Sequence, residues 1–319
     1  MTRSRVKLGV LLPTRGILLA DSPPSSANLV LGLAEKSEEA GLDSVWVGDS
    51  LTAKPRLEPL TMLAAIAART SRVRLGTAVL LMALRHPLLL AQTLGTVDLI
   101  SRGRLLIAAG AGGAFNQEQQ QEWQSVGVKV SQRARRLEEM VQIIKGLNRG
   151  DTVSFRGRHF ELDSVAMRPQ SVQSGGVPIL LACHGRFSTR EAQLRRAARW
   201  ADGIISISDT PDEYRQLVRD FRALAADLGR DAGAMEATMY LTVNLDPRGA
   251  AEAEKWLLGY YGANIWGSRW GPFGAPSRVK ERIAEYAEAG ANTVIVRFAS
   301  FQPEKQLDTF LNEVAPVYP

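Results

Sequence analysis

One cysteine, Cys183, stands in 319 residues, so neither an intrachain disulfide nor a cysteine-built zinc site is available. The three histidines, His86, His159 and His184, lie far apart and show no metal-ligand spacing. Apolar runs are short, and none nears the roughly 20 residues that cross a bilayer. Residues 8–12, ahead of Pro13, are too few for the apolar region of a secretory leader and are expected to form a first strand. A basic tail and an aromatic-interleaved basic stripe are missing too, although the formal net charge is +6. Of the 39 basic residues 31 are Arg, and they sit among acids, as where Arg133, Arg135 and Arg136 run into Glu138 and Glu139. Such a pattern describes solvated helix faces rather than a nucleic-acid surface. The expectation is a cytoplasmic enzyme acting on a small molecule, with neither nucleic acid nor membrane as partner.

What is there is an alternation. Apolar runs at 7–12, 43–48, 73–80, 104–109, 178–182, 203–207, 238–245 and 293–298 read as strands. Between and after them, 27–40, 59–68, 88–99, 132–147, 189–200, 211–228, 278–289 and 304–314 read as helices. Gly41 and Gly290 stand at C-cap positions, and Pro59 suits a first helical turn. The Gln-rich stretch 113–130 is aperiodic and is expected to be a loop. Residues 152–160 read as a small hairpin with Arg156-Gly157 near its turn. Eight strands in strict alternation with helices point to an α/β protein, a (β/α)8 TIM barrel forming a single domain over 1–319. A barrel core takes about 250 residues. The surplus falls in 113–130, in the hairpin and in 250–276, each after a strand end, where barrels carry their binding loops.

Several motifs bear on chemistry. Gly48-Asp49-Ser50-Leu51 has the spelling of a serine-hydrolase motif, but such a serine needs a general-base histidine. None follows His184, so the match is read as accidental. Gly110-Ala-Gly-Gly-Ala-Phe115 has Phe where a dinucleotide fingerprint needs its last glycine, and no acid follows to hold a ribose. Two readings stay open there, a bare glycine turn and a backbone that a flat ligand approaches closely. Just past the fifth strand, Cys183-His-Gly-Arg-Phe-Ser188 leads into a helix. Its N–H groups, Ser188 and the Arg186 guanidinium would cradle a phosphate, while ordinary capping by Ser188 or Thr189 is the bland alternative. Tyr260, Tyr261, Trp266, Trp270 and Phe273, with Arg269 among them, are interleaved with glycines and read as an apolar substrate lid.

Taken together, Ser44-Val-Trp-Val-Gly-Asp49, Leu75-Gly-Thr-Ala-Val79, Arg85-His-Pro87, Gly103-Arg-Leu, Gly110-Ala-Gly-Gly113, Arg136-Leu-Glu-Glu139, Phe155-Arg-Gly-Arg-His-Phe160 and Arg195-Arg-Ala-Ala-Arg-Trp-Ala-Asp-Gly203 resemble the bacterial luciferase-like family of flavin- and deazaflavin-dependent oxidoreductases. The resemblance implies a (β/α)8 barrel with insertions. It implies a non-proline cis peptide at Ala78–Val79, bulging against the cofactor's tricyclic ring, with Asp49 and Thr77 nearby. It places Gly110, Gly112 and Asn116 at the ring's border and the cofactor phosphate at the loop formed by Cys183, Gly185, Arg186, Phe187 and Ser188. Cys183-His184 replaces the family's usual Gly-Gly there. Members related to sugar-phosphate dehydrogenases using F420 carry a His and an acid where this chain has Ser50 and Gly113.

The reading that follows is a monooxygenase using reduced FMN supplied by a separate flavin reductase, oxygenating a small organic substrate. The cofactor carries the hard chemistry, and the protein supplies position, dryness and proton management. His184 is the expected catalytic, proton-handling residue. Phe115, Trp266, Arg269, Trp270 and Phe273 are expected at the substrate. The alternatives are hydride transfer with F420 and a flavin-binding protein without catalysis. A homodimer is expected from the family, with the apolar helix at 88–99 as one possible interface.

Overall fold

The computed structural model describes residues 6–19, 26–262 and 269–318. Eight parallel strands close into a barrel: β1 (Lys7–Leu11), β2 (Ser44–Val47), β3 (Arg74–Leu80), β4 (Leu105–Ala109), β7 (Ile179–Ala182), β8 (Gly203–Ile207), β9 (Glu236–Val243) and β10 (Thr293–Phe298). Their spatial order is β1-β10-β9-β8-β7-β4-β3-β2, in which only the β4–β7 neighbours are not consecutive in sequence or joined by closure. The two missing strands, β5 (Val153–Arg156) and β6 (Glu161–Val165), form a separate antiparallel hairpin. Helices α1 (Asn28–Glu39), α2 (Pro59–Arg69), α3 (Pro87–Ser101), α5 (Arg133–Arg149), α6 (Arg190–Trp200), α7 (Pro211–Asp227) and α9 (Pro276–Glu288) supply the crossovers. The remaining helices are α4 (Gln117–Ser125), α8 (Ala250–Tyr261) and α10 (Pro303–Thr309).

The period-two alternation of each strand divides the core into two layers. On β10, Val294, Val296 and Phe298 pack outward with the helices, while Ile295 belongs to an inner cluster with Leu11, Trp46, Ala78, Leu106, Leu180 and Tyr240. The inner cluster is packed through glycine. A Cβ on Gly9 would meet the Trp46 indole nitrogen at 2.7 Å, and one on Gly76 would fall on the indole ring itself. The two glycines let one large side chain fill the barrel axis. Below it the axis is closed by Arg74, whose guanidinium bonds Asp43 at 2.7 Å and Glu236 at 3.0 Å. Barrels fill their interior in such layers, which leaves chemistry to the strands' carboxyl ends.

Three expectations change. Residues 113–130 contain helix α4, which starts at Asn116, whose side chain accepts from the Gln119 N–H at 3.0 Å. Of its nine residues only Glu122 and Trp123 are buried, so no apolar stripe marks the helix in the sequence. The hairpin runs past 160 to Val165, with Gly157 N–H closing its turn on the Phe160 carbonyl at 2.9 Å. Residues 250–261 are regular helix, so Tyr260 and Tyr261 form its last turn rather than part of a lid loop. Among the described residues no helix is long and apolar enough to cross a membrane.

Candidate active site

The carboxyl ends of β2, β3 and β4 build a floor. The Ala78–Val79 peptide is cis, and the β3–β4 register slips between Ala78 and Leu80. Gly110, the first residue after β4, lies against this bulge: a Cβ there would sit 2.9 Å from Val79 Cγ2 and 3.5 Å from the Ala182 methyl. A side chain at 110 would therefore close the surface that the glycine leaves flat. Asp49 works beneath the floor. Its carboxylate accepts from the Leu81 N–H at 2.9 Å and from Arg85 at 2.5 and 3.1 Å, which fixes the segment after the bulge. Its oxygens hold protein groups, so its part in any ligand site is positioning. Thr77 faces the helix layer, with its hydroxyl donating to the Ala108 carbonyl at 2.9 Å, and only its backbone reaches the floor.

The loop after β7 is where a phosphate cradle is expected. Cys183 is fully buried and packs in the outer core, where burial pushes its thiol up to about 12. His184 follows it and is half-buried. Its ring meets Phe187 edge-on at 4.8 Å. Burial holds the imidazole below its ordinary value, with Asp209 opposing and Arg186 reinforcing the shift. Two loop N–H groups are engaged within the protein: His184 donates to Gln193 Oε1 at 2.9 Å and Gly185 to Asp209 Oδ2 at 2.8 Å. Two buried atoms, His184 Nδ1 and Asp209 Oδ1, have no partner among the described residues. Arg186 reaches Ser208 Oγ at 3.3 Å, and Ser188 is exposed ahead of α6, whose first turn has no side-chain cap from Thr189.

The aromatic segment divides. Arg269 forms a bidentate ion pair with Glu213 at the start of α7, so its charge is already matched. Trp270 is buried and joins Ser208, Tyr240 and Thr242 around a small cleft at the mouth. Phe273 packs beside it, bridged to Asn244, and Trp266 lies outside the described residues. Phe115 is 76% exposed next to Asn116, which caps α4. Gly112 adopts φ +73°, and a Cβ there would press on Trp123, so this glycine serves the turn and its packing. Ser50 donates to Glu122 at 2.7 Å, an arrangement with no hydrolytic nucleophile in it.

The sequence reading missed a cluster of four cations at the carboxyl end of the barrel. Arg297, near the end of β10, is 3% exposed and stands within 5.4 Å of the ring centres of Tyr240, Trp256, Tyr260, Tyr261 and Trp270. It bonds Thr242 Oγ1 at 2.8 Å and the Tyr261 hydroxyl. Arg15 and Arg56 face the Tyr260 ring at 5.1 and 6.0 Å, and Lys54 faces Tyr261 at 4.3 Å. Among the described residues none of these four cations has a carboxylate within ion-pair distance; the exposed Glu118 acts on Arg15 and Lys54 only from farther away. Burial, then Arg15, Arg56 and Arg297, bring Lys54 down to about 8. Burial pushes the Tyr260 phenol up, but Arg56, Arg297 and Arg15 outweigh it and leave it below its ordinary value. One signal in the sequence did exist: a lone Arg inside the apolar run Thr293-Val-Ile-Val-Arg-Phe298.

A closed (β/α)8 barrel with a bulged third strand and a glycine-flattened floor defines a luciferase-like oxidoreductase. The chain belongs to the luciferase-like monooxygenase family, whose model matches residues 6–269. It is 27% identical to the F420-dependent glucose-6-phosphate dehydrogenase of Nocardia farcinica, over 90% of this chain and 93% of that protein. Its fold is that of an F420-dependent secondary alcohol dehydrogenase solved with an F420-acetone adduct (TM-score 0.80, 20% identity, 99% of both chains). It matches equally the monooxygenase RslO1 from Streptomyces bottropensis (TM-score 0.80, 22% identity, 98% of this chain and all of that one).

Proposed function

We propose that the protein is an F420-dependent oxidoreductase that moves a hydride between the deazaflavin and an oxygen-bearing carbon of a small substrate. The observation that carries this reading is the placing of Lys54, whose amine stands 4.3 Å over the Tyr261 ring at the carboxyl end of the barrel; burial and the neighbouring Arg15, Arg56 and Arg297 bring it down to about 8. Interconverting a carbinol and a carbonyl moves a proton as well as a hydride, and the proton needs a group that titrates near neutrality. F420 supplies, when bound, a two-electron hydride carrier. The relative from Nocardia farcinica supports the same cofactor.

The residues present fit a tricyclic cofactor with an anionic tail. Gly110 leaves the floor open above the Val79 side chain, and Arg186 with the uncapped start of α6 offers charge and N–H groups to a phosphate. The unpartnered His184 Nδ1 and Asp209 Oδ1 call for a ligand or water at that end. His184, kept neutral by burial, serves there as a hydrogen-bonding group, and the proton role passes to Lys54. Ser50 and Gly113 stand where the F420 sugar-phosphate dehydrogenases resembled by this chain carry a His and an acid. That difference favours a second reading, oxygenation with reduced FMN from a partner reductase. A second copy packing on α3, where Leu89, Leu99 and Ile100 stand exposed, belongs to either reading and is tested by sedimentation.

Paired titrations of the purified protein with F420 and with oxidised and reduced FMN separate the two. Selective binding of F420 is the expected result. Selective binding of FMN, tighter when reduced, would overturn the proposal in favour of oxygenation.

A further inference from the structure

Buried charges in proteins are ordinarily paired, because an isolated cation loses several kcal/mol of hydration in a low-dielectric site. Arg297 departs from this rule. It is 3% exposed, its hydrogen-bond partners are the hydroxyls of Thr242 and Tyr261 together with the Tyr260 phenol, and its other neighbours are aromatic faces. Arg15 and Arg56 approach the same Tyr260 ring, so like charges are gathered rather than dispersed. Two backbone carbonyls, of Tyr260 and Pro55, hold Arg15 at 3.3 Å each, and the Lys54 carbonyl holds Arg56 at 3.2 Å. These bonds orient the guanidinium groups without neutralising them.

The cluster touches two other features. A Cβ on Gly48 would fall on the Arg56 guanidinium and 3.7 Å from the Ala78 carbonyl oxygen, which places Arg56 beside the bulged floor. On the other side, Arg297 and Tyr260, with Lys255, are among the residues that line a cavity of about 710 Å³. Its remaining wall is mostly apolar, with Leu11, Ile17, Leu33, Trp256 and Phe298 among the side chains. A cationic end and an apolar body of this size match a molecule built the same way, since pockets bind through apolar contact and a few placed polar groups.

We infer that the substrate is an amphipathic organic anion, its carboxylate or phosphate held by Arg15, Arg56 and Arg297 and its apolar body in the cavity beside β1 and β10. This rests on the proposed function in that it names the substrate class of the same site. Guanidinium groups favour both head groups, through paired N–H bonds to two oxygens. An anion there would supply a countercharge that is missing among the described residues.

The test uses the whole protein without cofactor and three eight-carbon probes: octanoate, octyl phosphate and octanol. Trp256 lines the cavity and Trp270 packs over Arg297, so tryptophan fluorescence reports binding. At least one anion is expected to bind roughly tenfold or more tightly than octanol, a difference of about 1.4 kcal/mol. Whichever anion binds more tightly identifies the head group. Arg297→Gln and Arg15→Gln are each expected to remove most of that preference while octanol binding persists. Circular dichroism establishes that the variants are folded, and Arg15→Gln stands alone should Arg297→Gln fail to fold. Equal affinity for octanol and the anions, no binding of any probe, or a preference unchanged in folded variants would each overturn the inference. A parallel F420 titration keeps the two readings apart: anion selectivity without F420 binding retains the substrate class and removes the cofactor.

Discussion

Replacing Glu122 by Ala probes how the mouth is held. One oxygen, Oε1, accepts from the Ser50 hydroxyl at 2.7 Å and from the N–H groups of Leu51, Thr52 and Ala53 at 2.6, 2.9 and 3.2 Å. Ser50 in turn accepts from the Lys54 N–H at 2.9 Å. A single buried carboxylate on α4 therefore shapes the segment that leads into Lys54 and Arg56. Hydrogen bonds to a charged group contribute about 1.5–3 kcal/mol each, and an orphaned buried donor costs about 1–3 kcal/mol. Leu51 and Thr52 are exposed, so water replaces part of the loss, and the four bonds share one acceptor and do not add. The net expectation is a destabilisation of about 3 kcal/mol for Glu122→Ala. Glu122→Gln keeps an acceptor without the charge and should lose about 1 kcal/mol. Urea unfolding followed by far-ultraviolet circular dichroism measures both, with an unchanged slope indicating a native-state effect. Octanoate affinity should fall in the Ala variant as Arg56 loses its support. A Glu122→Ala midpoint within about 0.5 kcal/mol of the parent would refute this account of the loop.

Other expectations follow from the same geometry. Gly110→Val should weaken F420 binding by roughly tenfold or more in a fluorescence titration, because its side chain would occupy the flat surface beside Val79. Lys54 has a folded pKa of about 8 against an ordinary value of 10.5, so folding disfavours its charged form at neutral pH. The unfolded chain keeps that proton between about pH 8 and 10.5 while the folded one releases it, so this group makes stability rise with pH across the window. Lys54→Met should flatten that slope in urea titrations at pH 7.5, 9 and 10.5, and should remove the titration near 8 from the pH–rate profile. Arg74→Met at the closed end of the barrel strands Asp43 and Glu236, and should destabilise by about 2–3 kcal/mol in urea while leaving F420 affinity unchanged.

The sequence by itself determined the architecture and much of the floor. Alternating apolar runs and amphipathic helices leave few ways to bury both faces of each strand, and with eight such units a closed parallel barrel is the foremost of them. The bulge at Ala78–Val79 was expected only from the resemblance to the luciferase-like family, while the glycines from 110 and the loop after β7 drew notice as short motifs whose roles the residues alone left open. Helix α4 was illegible for a local reason: its surface is polar nearly all round, and only Asn116 and Trp123 mark it. The charge cluster was illegible for a global one. Arg15 follows β1, Lys54 and Arg56 follow β2, and Arg297 lies on β10, and these become neighbours only because β1 pairs with both β2 and β10 when the barrel closes. Periodicity reports which face of an element is buried. Which charges then meet, and whether an acid lies among them, depends on the order of strands around the barrel, and only the tertiary structure decides that.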